Sequence, residues 1–534
     1  MIALAQRLWR SDRGAVAPIV GLSLFGLIAA GGLAFDYARL ATLDSELQNA
    51  ADQAALAAAS QLDQQPGAIE RATAAAGGLL TNQTLLANDA VASRAVTIPV
   101  VVFYASRADA EVNVNGFTDV AQYASARFVR VAVAARRAQY ALTPIVGVFN
   151  SGDVGAEAVA TLGTAICKTP PVMICNPQET GSNLNFNASA LVGHGLRLVS
   201  VGGGTGGWAP GNFGYLDSNG GANGAPGLRQ ALGWNTPPGD CIAQSGVDTK
   251  PGATVSVTDA LNTRFDIYDS NVSCPSGGDC GASINSVKDV VRPANANGGN
   301  SCKMHKLGWQ EVDSAQQYLP TSASTPLSST STPGAMGHPR DMCHAVDGGV
   351  ADACAGPIGN GAWDRDAYFR THYVRADGTR WDNAAWRATT TLPANATRYQ
   401  VYKWEFENRG SVRGGVTVLG SSPSGATGNT NVAYGLPQCS ASQGYGGGIV
   451  PGGTQPDRRR ISVAVVNCNE QSVNGAETNL QVIKWIDIFL VQPSLSRART
   501  KAGDVYAEII GETQTGAGAT VGQVVRRDTP VLVK

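Results

Sequence analysis

The residues best equipped for chemistry are ten cysteines, five histidines and two close carboxylate pairs. Cys302 and His305 have the C-x-x-H spacing of half a zinc site, and His338, Asp341, Cys343 and His344 crowd into H-P-R-D-M-C-H. No C-x-x-C pair completes either set, and an even number of cysteines is more simply a disulfide framework. Asp364 and Asp366 in W-D-R-D, and Glu405 and Glu407 in K-W-E-F-E, stand two apart. On a strand each pair would share a face and could bind calcium or act as acid and base. Arg365, Arg370 and Arg409 offer the plainer reading of ion pairing. Gly202, Gly204 and Gly207 satisfy G-x-G-x-x-G after L-R-L-V-S-V, but Trp208-Ala209-Pro210-Gly211 follows where a pyrophosphate-binding helix must open. Asp269-Ser270-Asn271-Val272-Ser273 departs at its middle position from the D-x-S-x-S of a metal-dependent adhesion site, and neither H-E-x-x-H nor G-x-S-x-G occurs. The expectation is a chain with no catalytic, cofactor-binding or metal-binding residues, and so not an enzyme.

What must position these residues begins with a membrane segment. Ala15 to Phe35 runs 21 residues without a charge, which as a helix is about 31 Å and matches a bilayer's hydrocarbon core. Arg7, Arg10 and Arg13 precede it and Asp36, Arg39, Asp44 and Glu46 follow it. The positive-inside rule then puts residues 1–14 in the cytoplasm and the bulk of the chain across the membrane. A cleaved signal peptide has a shorter apolar core and a small-x-small cut site; this run leads into Phe35-Asp36-Tyr37, which favours an uncleaved anchor. Between Gly32 and Pro66 there is no glycine or proline, so the helix should continue to about Ala59. Leu40, Leu43, Leu47, Ala50, Ala54 and Ala57 then form a narrow seam at 3-4-3-4-3 spacing. With alanine on half of it, the seam suits packing on its own domain better than a coiled coil.

Composition bounds the rest. The 534 residues carry 64 glycines, 26 prolines and only 15% charged residues, which reads as loop-rich and strand-rich. With 40 basic and 41 acidic residues there is no field to attract nucleic acid. All ten cysteines, Cys167, Cys175, Cys241, Cys274, Cys280, Cys302, Cys343, Cys354, Cys439 and Cys468, lie beyond the anchor, which fits disulfides in an oxidising compartment. The local pairs Cys167–Cys175, Cys274–Cys280 and Cys343–Cys354 are the simplest partial pairing. The predicted fold is α+β: a transmembrane helix over 15–35, a stalk helix over 36–65, a small α+β unit over 66–166, and a cysteine-containing, β-rich region over 167–534, of one or two lobes. A short helix over 68–80 and strand-like runs at 93–106, 126–140 and 155–166 build the small unit. Runs at 458–468, 480–495, 503–512 and the terminal V-V-R-R-D-T-P-V-L-V-K are the most regular strands of the last region.

The opening segment S-D-R-G-A-V-A-P, the apolar span, the Asp36-Tyr37 pair and L-Q-N-A-A-D-Q-A-A-L-A-A-A (residues 11–59 in all) resemble the TadG-like proteins of Flp (Tad) pilus assembly. Gln53 stands where that run usually has alanine. K-T-P-P-V-M-I-C-N-P (168–177), G-W-A-P-G-N-F-G-Y-L-D (207–217), Thr249 to Gly252, N-T-R-F-D-I-Y (262–268) and the C-terminal strand resemble longer relatives. The resemblance implies a protein anchored in the inner membrane with a periplasmic body, whose partners are pilins, pseudopilins and the secretin complex; it assigns no catalytic residue. The competing expectation is a tethered module for cell wall or glycan, using Trp208, Trp363, Trp381 and Trp386 as exposed aromatics, although buried core tryptophan is the plainer reading of all four.

Overall fold

The structure, a computed structural model, describes residues 16–63, 66–78, 96–98, 100–138, 140–146, 149–200, 208–217, 224–238, 242–243, 246–250, 255–269, 274, 277–293, 295–346, 349–420, 432–433, 435–496, 503–514 and 523–533. Arg7, Arg10, Arg13, the glycines of G-x-G-x-x-G, Ser270 to Ser273 and Cys241 lie outside them. The chain divides into two compact units, residues 1–163 with 527–534, and residues 164–526. The C-terminal segment, read from sequence as part of the second region, thus belongs with the first.

In the first unit, α1 (Val16–Ala59) is one continuous helix of 44 residues. It runs on past the apolar span because alanine and leucine cost little to order in a helix and no breaker intervenes. α2 (Ala68–Gly78) packs Ile69, Ala72 and Ala76 beside it. β1 (Val100–Tyr104) is followed by α3 (Arg107–Val112), whose first turn Ser106 caps by accepting from the Asp109 amide. β1, β2 (Phe128–Ala132) and β3 (Glu157–Cys167) pair antiparallel, with Tyr104 opposite Phe128 and Ala132 opposite Glu157. Along β2 and β3, Val129, Val131, Ala158 and Ala160 turn to the core and meet Leu43, Leu47, Ala50, Ala51, Ala54 and Ala58 of α1. The small side chains of the seam let helix and sheet approach closely, so Leu43, Leu47, Ala50, Ala54 and Ala57 are buried and Leu40 is partly covered.

The second unit is built on a ring of strands. β4 (Val172–Cys175), β5 (Gly195–Ser200) and β6 (Asn212–Leu216) come early. α4 (Gly224–Gly233), α5 (Arg365–His372), α6 (Asn383–Thr390) and α7 (Arg398–Glu407) lie between them and β7 (Arg460–Val466), β8 (Leu480–Leu490) and β9 (Val505–Glu512). The last strand, β10 (Val524–Leu532), lies beside β3 in the other sheet. The pairing order β7-β4-β6-β5-β9-β8 is closed by β8 returning to β7, and of the six pairings only β7–β4 and β5–β6 are parallel. Closure removes the exposed edges an open sheet would carry.

Alternation along each strand fills the ring. Val172 and Ile174, Leu196 and Leu198, Phe213 and Tyr215, Ile461, Val463 and Val465, Ile486 and Ile488, and Val505, Ala507 and Ile509 share one buried cluster. The opposite faces of β4, β7 and β8 are also covered, by Met173, Ala464, Val466 and Trp485 with Trp208, Ile242 and Val473. That two-sided burial is why those strands read as nearly unbroken apolar runs.

Candidate functional site

Two places in the molecule gather unusual chemistry, one in each unit. The first is where α1 leaves its apolar span. Its most apolar window is 6% buried, and Ile19, Leu22, Leu27 and Phe35 are all at least half exposed, so a stretch long and apolar enough to cross a membrane stands bare. At its end the surroundings change. Asp36 is 1% exposed, and its carboxylate accepts from the backbone amides of Ala141 (2.8 Å), Leu142 (2.9 Å) and Thr143 (2.7 Å) and from the Thr143 hydroxyl (2.6 Å). One turn earlier, a Cβ on Gly32 would lie 2.9 Å from the Leu142 Cβ, so glycine is what lets the loop reach the helix. Twelve residues further on, Gln48 donates to the Glu157 carbonyl (3.1 Å). The two contacts fix the connection between β2 and β3 along α1. Sequence reading saw Asp36 only as the first charge after the span; no local pattern ties it to a loop over a hundred residues away.

The second place is a recess in the other unit, lined by Asp289, Glu311, Gln317, Tyr318, Arg340, His344 and Gln492 among others. Behind it lies a buried ion triad. Arg398, at the start of α7, pairs with Asp341 and with Glu508 (2.8 Å), all three essentially without exposure. Asp341 also accepts from the amides of Gly195 (3.1 Å) and Gly361 (2.7 Å), and Glu508 accepts from the Arg398 and Tyr399 amides, both 2.8 Å, so it caps α7 from β9. Burial pushes the Asp341 carboxyl up, but the Arg398 charge and the hydrogen bonds from Arg398, Gly361 and Gly195 outweigh it, leaving it below the usual carboxylate range. The Tyr506 hydroxyl accepts from the Asp341 amide (3.1 Å) and lies 2.8 Å from His344 Nδ1, whose Nε2 faces the Gly356 carbonyl at 2.9 Å. This assigns His344 as neutral with its proton on Nε2; burial holds its pKa below the ordinary value. His338 lies beside it in the recess lining, lowered well below the ordinary range first by burial and then by Arg459 and Arg398. His372 is brought down by burial to about 4 and faces the Met336 carbonyl at 2.6 Å. The arrangement holds neutral imidazoles and paired charges in place, which is the chemistry of a fixed architecture.

The residues singled out by spacing have other employment. Cys302 is bonded to Cys439 and Cys343 to Cys354, so neither offers a thiolate to a metal, and Asp341 is committed to Arg398. His305 Nδ1 accepts from the Leu307 amide (3.2 Å). W-D-R-D opens a helix instead of lying on a strand. Asp364 caps α5 by accepting from the Ala367 amide (2.9 Å) and also accepts from Leu327 (2.7 Å); Asp366 accepts from Trp386 Nε1 (2.7 Å) and Asn383 (3.0 Å). Glu405 and Glu407 are helical too, so two residues apart means different faces. Glu405 is buried, taking bonds from Tyr368 (2.7 Å), Tyr373 (3.0 Å) and Asn285 (2.7 Å), whereas Glu407 is exposed beside Lys403. Trp208, Trp363, Trp381 and Trp386 are at most 8% exposed, which excludes the exposed aromatics of the glycan-binding alternative and bears out the plainer reading of core tryptophans. Trp208 lies over Gly214, where any side chain would collide with its ring.

The expected local bridges Cys274–Cys280 and Cys343–Cys354 are present, but Cys167–Cys175 is not. Cys175 bonds Cys468, because β4 and β7 run parallel as neighbours and Cys175 and Cys468 follow each other at the same end of the pair. Cys167 is also in a disulfide. The buried guanidinium pair of Arg458 and Arg459, at the start of the strand-like run 458–468, has no local signal either: Arg459 donates to the Leu490 and Val491 carbonyls and stacks on Phe265 and Phe489.

No curated protein and no solved structure matches the chain. Residues 14–61, the bare apolar stretch and the following part of α1 whose seam packs the first unit, match the family model described as "Putative Flp pilus-assembly TadE/G-like". The chain therefore carries a TadE/G-like segment of Flp pilus assembly at its N-terminal end, in agreement with the resemblance read from residues 11–59.

Proposed function

We propose that this protein is a non-enzymatic component of Flp pilus assembly, held in the inner membrane by α1, with residues 1–14 in the cytoplasm and both folded units in the periplasm. The observation that carries the reading is the family match over residues 14–61, whose apolar half is bare and whose alanine-rich half is committed to a folded unit. Arg7, Arg10 and Arg13 before the span favour this orientation. The disulfides beyond it fit an oxidising compartment. The first unit acts as a footing on the stalk, and the stapled barrel presents surfaces to pilins, pseudopilins or the secretin complex.

Deleting the gene is expected to abolish or strongly reduce surface pili while pilin synthesis continues, with restoration by the full-length chain. Normal piliation in the deletion strain would overturn the proposal. The alternative, a tethered module for cell wall or glycan, loses its main support with the burial of its four tryptophans; retention of the protein on purified cell wall would revive it.

A further inference from the structure

The connection between β2 and β3 has a composition unlike its surroundings. From Ala138 to Gly152 it contains no charged residue, and the charges that bound it, Arg137 and Asp153, pair with each other at 2.5 Å. It leaves the sheet as an antiparallel ribbon: the Val133 amide donates to the Ala156 carbonyl, Arg136 and Val154 exchange both backbone bonds, and the Tyr140 amide reaches the Phe149 carbonyl at 3.0 Å. The ribbon follows α1 backwards. Glu157 at its base meets Gln48, and Thr143 near its tip meets Asp36, twelve helical residues or about 18 Å closer to the apolar span. Leu142 sits over Gly32, inside the last turn of that span. At this level Leu142 is 43% and Phe149 62% exposed, beside the equally uncovered Phe35 and Tyr37 of the helix.

We propose that the tip of this ribbon, residues 140–146 together with Phe149, is a second membrane contact, seated in the headgroup and acyl boundary of the leaflet where α1 emerges, with Leu142 and Phe149 against lipid. The inference rests on α1 crossing the membrane. Given that, the contact at Gly32 leaves the tip no other level, and an uncharged segment with aromatic and aliphatic side chains is what the interface accepts. Asp36 explains the pairing: a carboxylate at the edge of the hydrocarbon needs donors that water supplies poorly there, and the tip brings four. The folded unit is thus held against the bilayer at two points and cannot swing freely on its stalk.

The test uses the full-length protein in nanodiscs of phosphatidylethanolamine and phosphatidylglycerol. A benzophenone amino acid is placed singly at Leu27 in the span, at Phe149, or at Val112, which is 66% exposed at the end of α3 beyond the opposite end of the sheet. After irradiation, lipid adducts are counted by mass spectrometry. Position 149 should label like position 27 and at least about tenfold more than position 112. Labelling at 27 with none at 149, or adducts at 149 only to polypeptide, overturns the interfacial tip while leaving the anchor intact. No labelling at 27 overturns the spanning helix, and the proposal with it.

Discussion

The two units solve the same stability problem with different means. The first has no cysteine and is held by α1 lying on a small sheet, alanine and leucine against valine, with one buried carboxylate at the helix exit. The second encloses its apolar core in a closed ring, staples it with disulfides, and buries Arg264, Arg398, Arg458 and Arg459 outright. The difference tracks loop content. A long helix brings its contacts locally and cheaply, whereas the second unit must order long connections such as residues 295–341, which hold only short helical turns, and the Cys302–Cys439 bond and the Arg459 guanidinium, which reaches the Asn285 and Val287 carbonyls, help fix such stretches.

The comparison breaks most visibly at Cys175 and Cys468, whose bond closes a separation of 293 residues. Replacing both with serine should cost the second unit about 5 kcal/mol by chain entropy, read as a lower denaturant midpoint for that unit while the first is unmoved. The same loss in the first unit would erase the distinction.

Arg398→Met is next. It leaves Asp341 and Glu508 buried without their cation, a loss of about 3–5 kcal/mol. Added Asp341→Asn and Glu508→Gln should recover part of it, and their failure to do so would show that the charges are not what matters.

In the first unit, Asp36→Ala strands three backbone amides of the ribbon, which should cost about 3 kcal/mol. The expected readout is faster proteolysis between 140 and 149 with the stapled unit unchanged. Asp36→Asn should fall between the two.

The last effect, absent near neutral pH and seen only on acidification, separates the units by pH. His372 is held neutral to about 4 by burial, below its ordinary value of 6.5. In that window the unfolded chain takes up a proton the folded one does not, so His372 makes the second unit lose stability as pH falls from about 6.5 to about 4, with no further change below. His372→Gln should flatten that part of the curve relative to the parent; parallel curves would contradict the assignment.

Much of this architecture was legible. The uncharged run, the absence of breakers and the alanine seam announced α1, and the apolar runs at 458–468, 480–495 and 503–512 hold β7, β8 and β9. What stayed hidden is whatever depends on closure in three dimensions. Nothing local in Cys175 points to Cys468 until β4 and β7 are known to be neighbours. Asp36 likewise reads as no more than the first charge after the span until the ribbon returns to it. The strand-like run at 458–468 gives no hint that its opening Arg458 and Arg459 are buried; they are so because backbone carbonyls and aromatic faces replace water around them. One signal was there to use. Asp364 followed by Arg-Asp-Ala-Tyr-Phe is a helix N-cap pattern, and reading it so would have taken W-D-R-D out of consideration as a strand-borne carboxylate pair.

The most direct test of the assembly role is crosslinking in living cells, followed by affinity purification of the tagged full-length protein and mass spectrometry of what accompanies it. Recovery of pilins, pseudopilins or the secretin complex is the expected result. Purification with cell-wall material, or with nothing from the pilus apparatus, would contradict it.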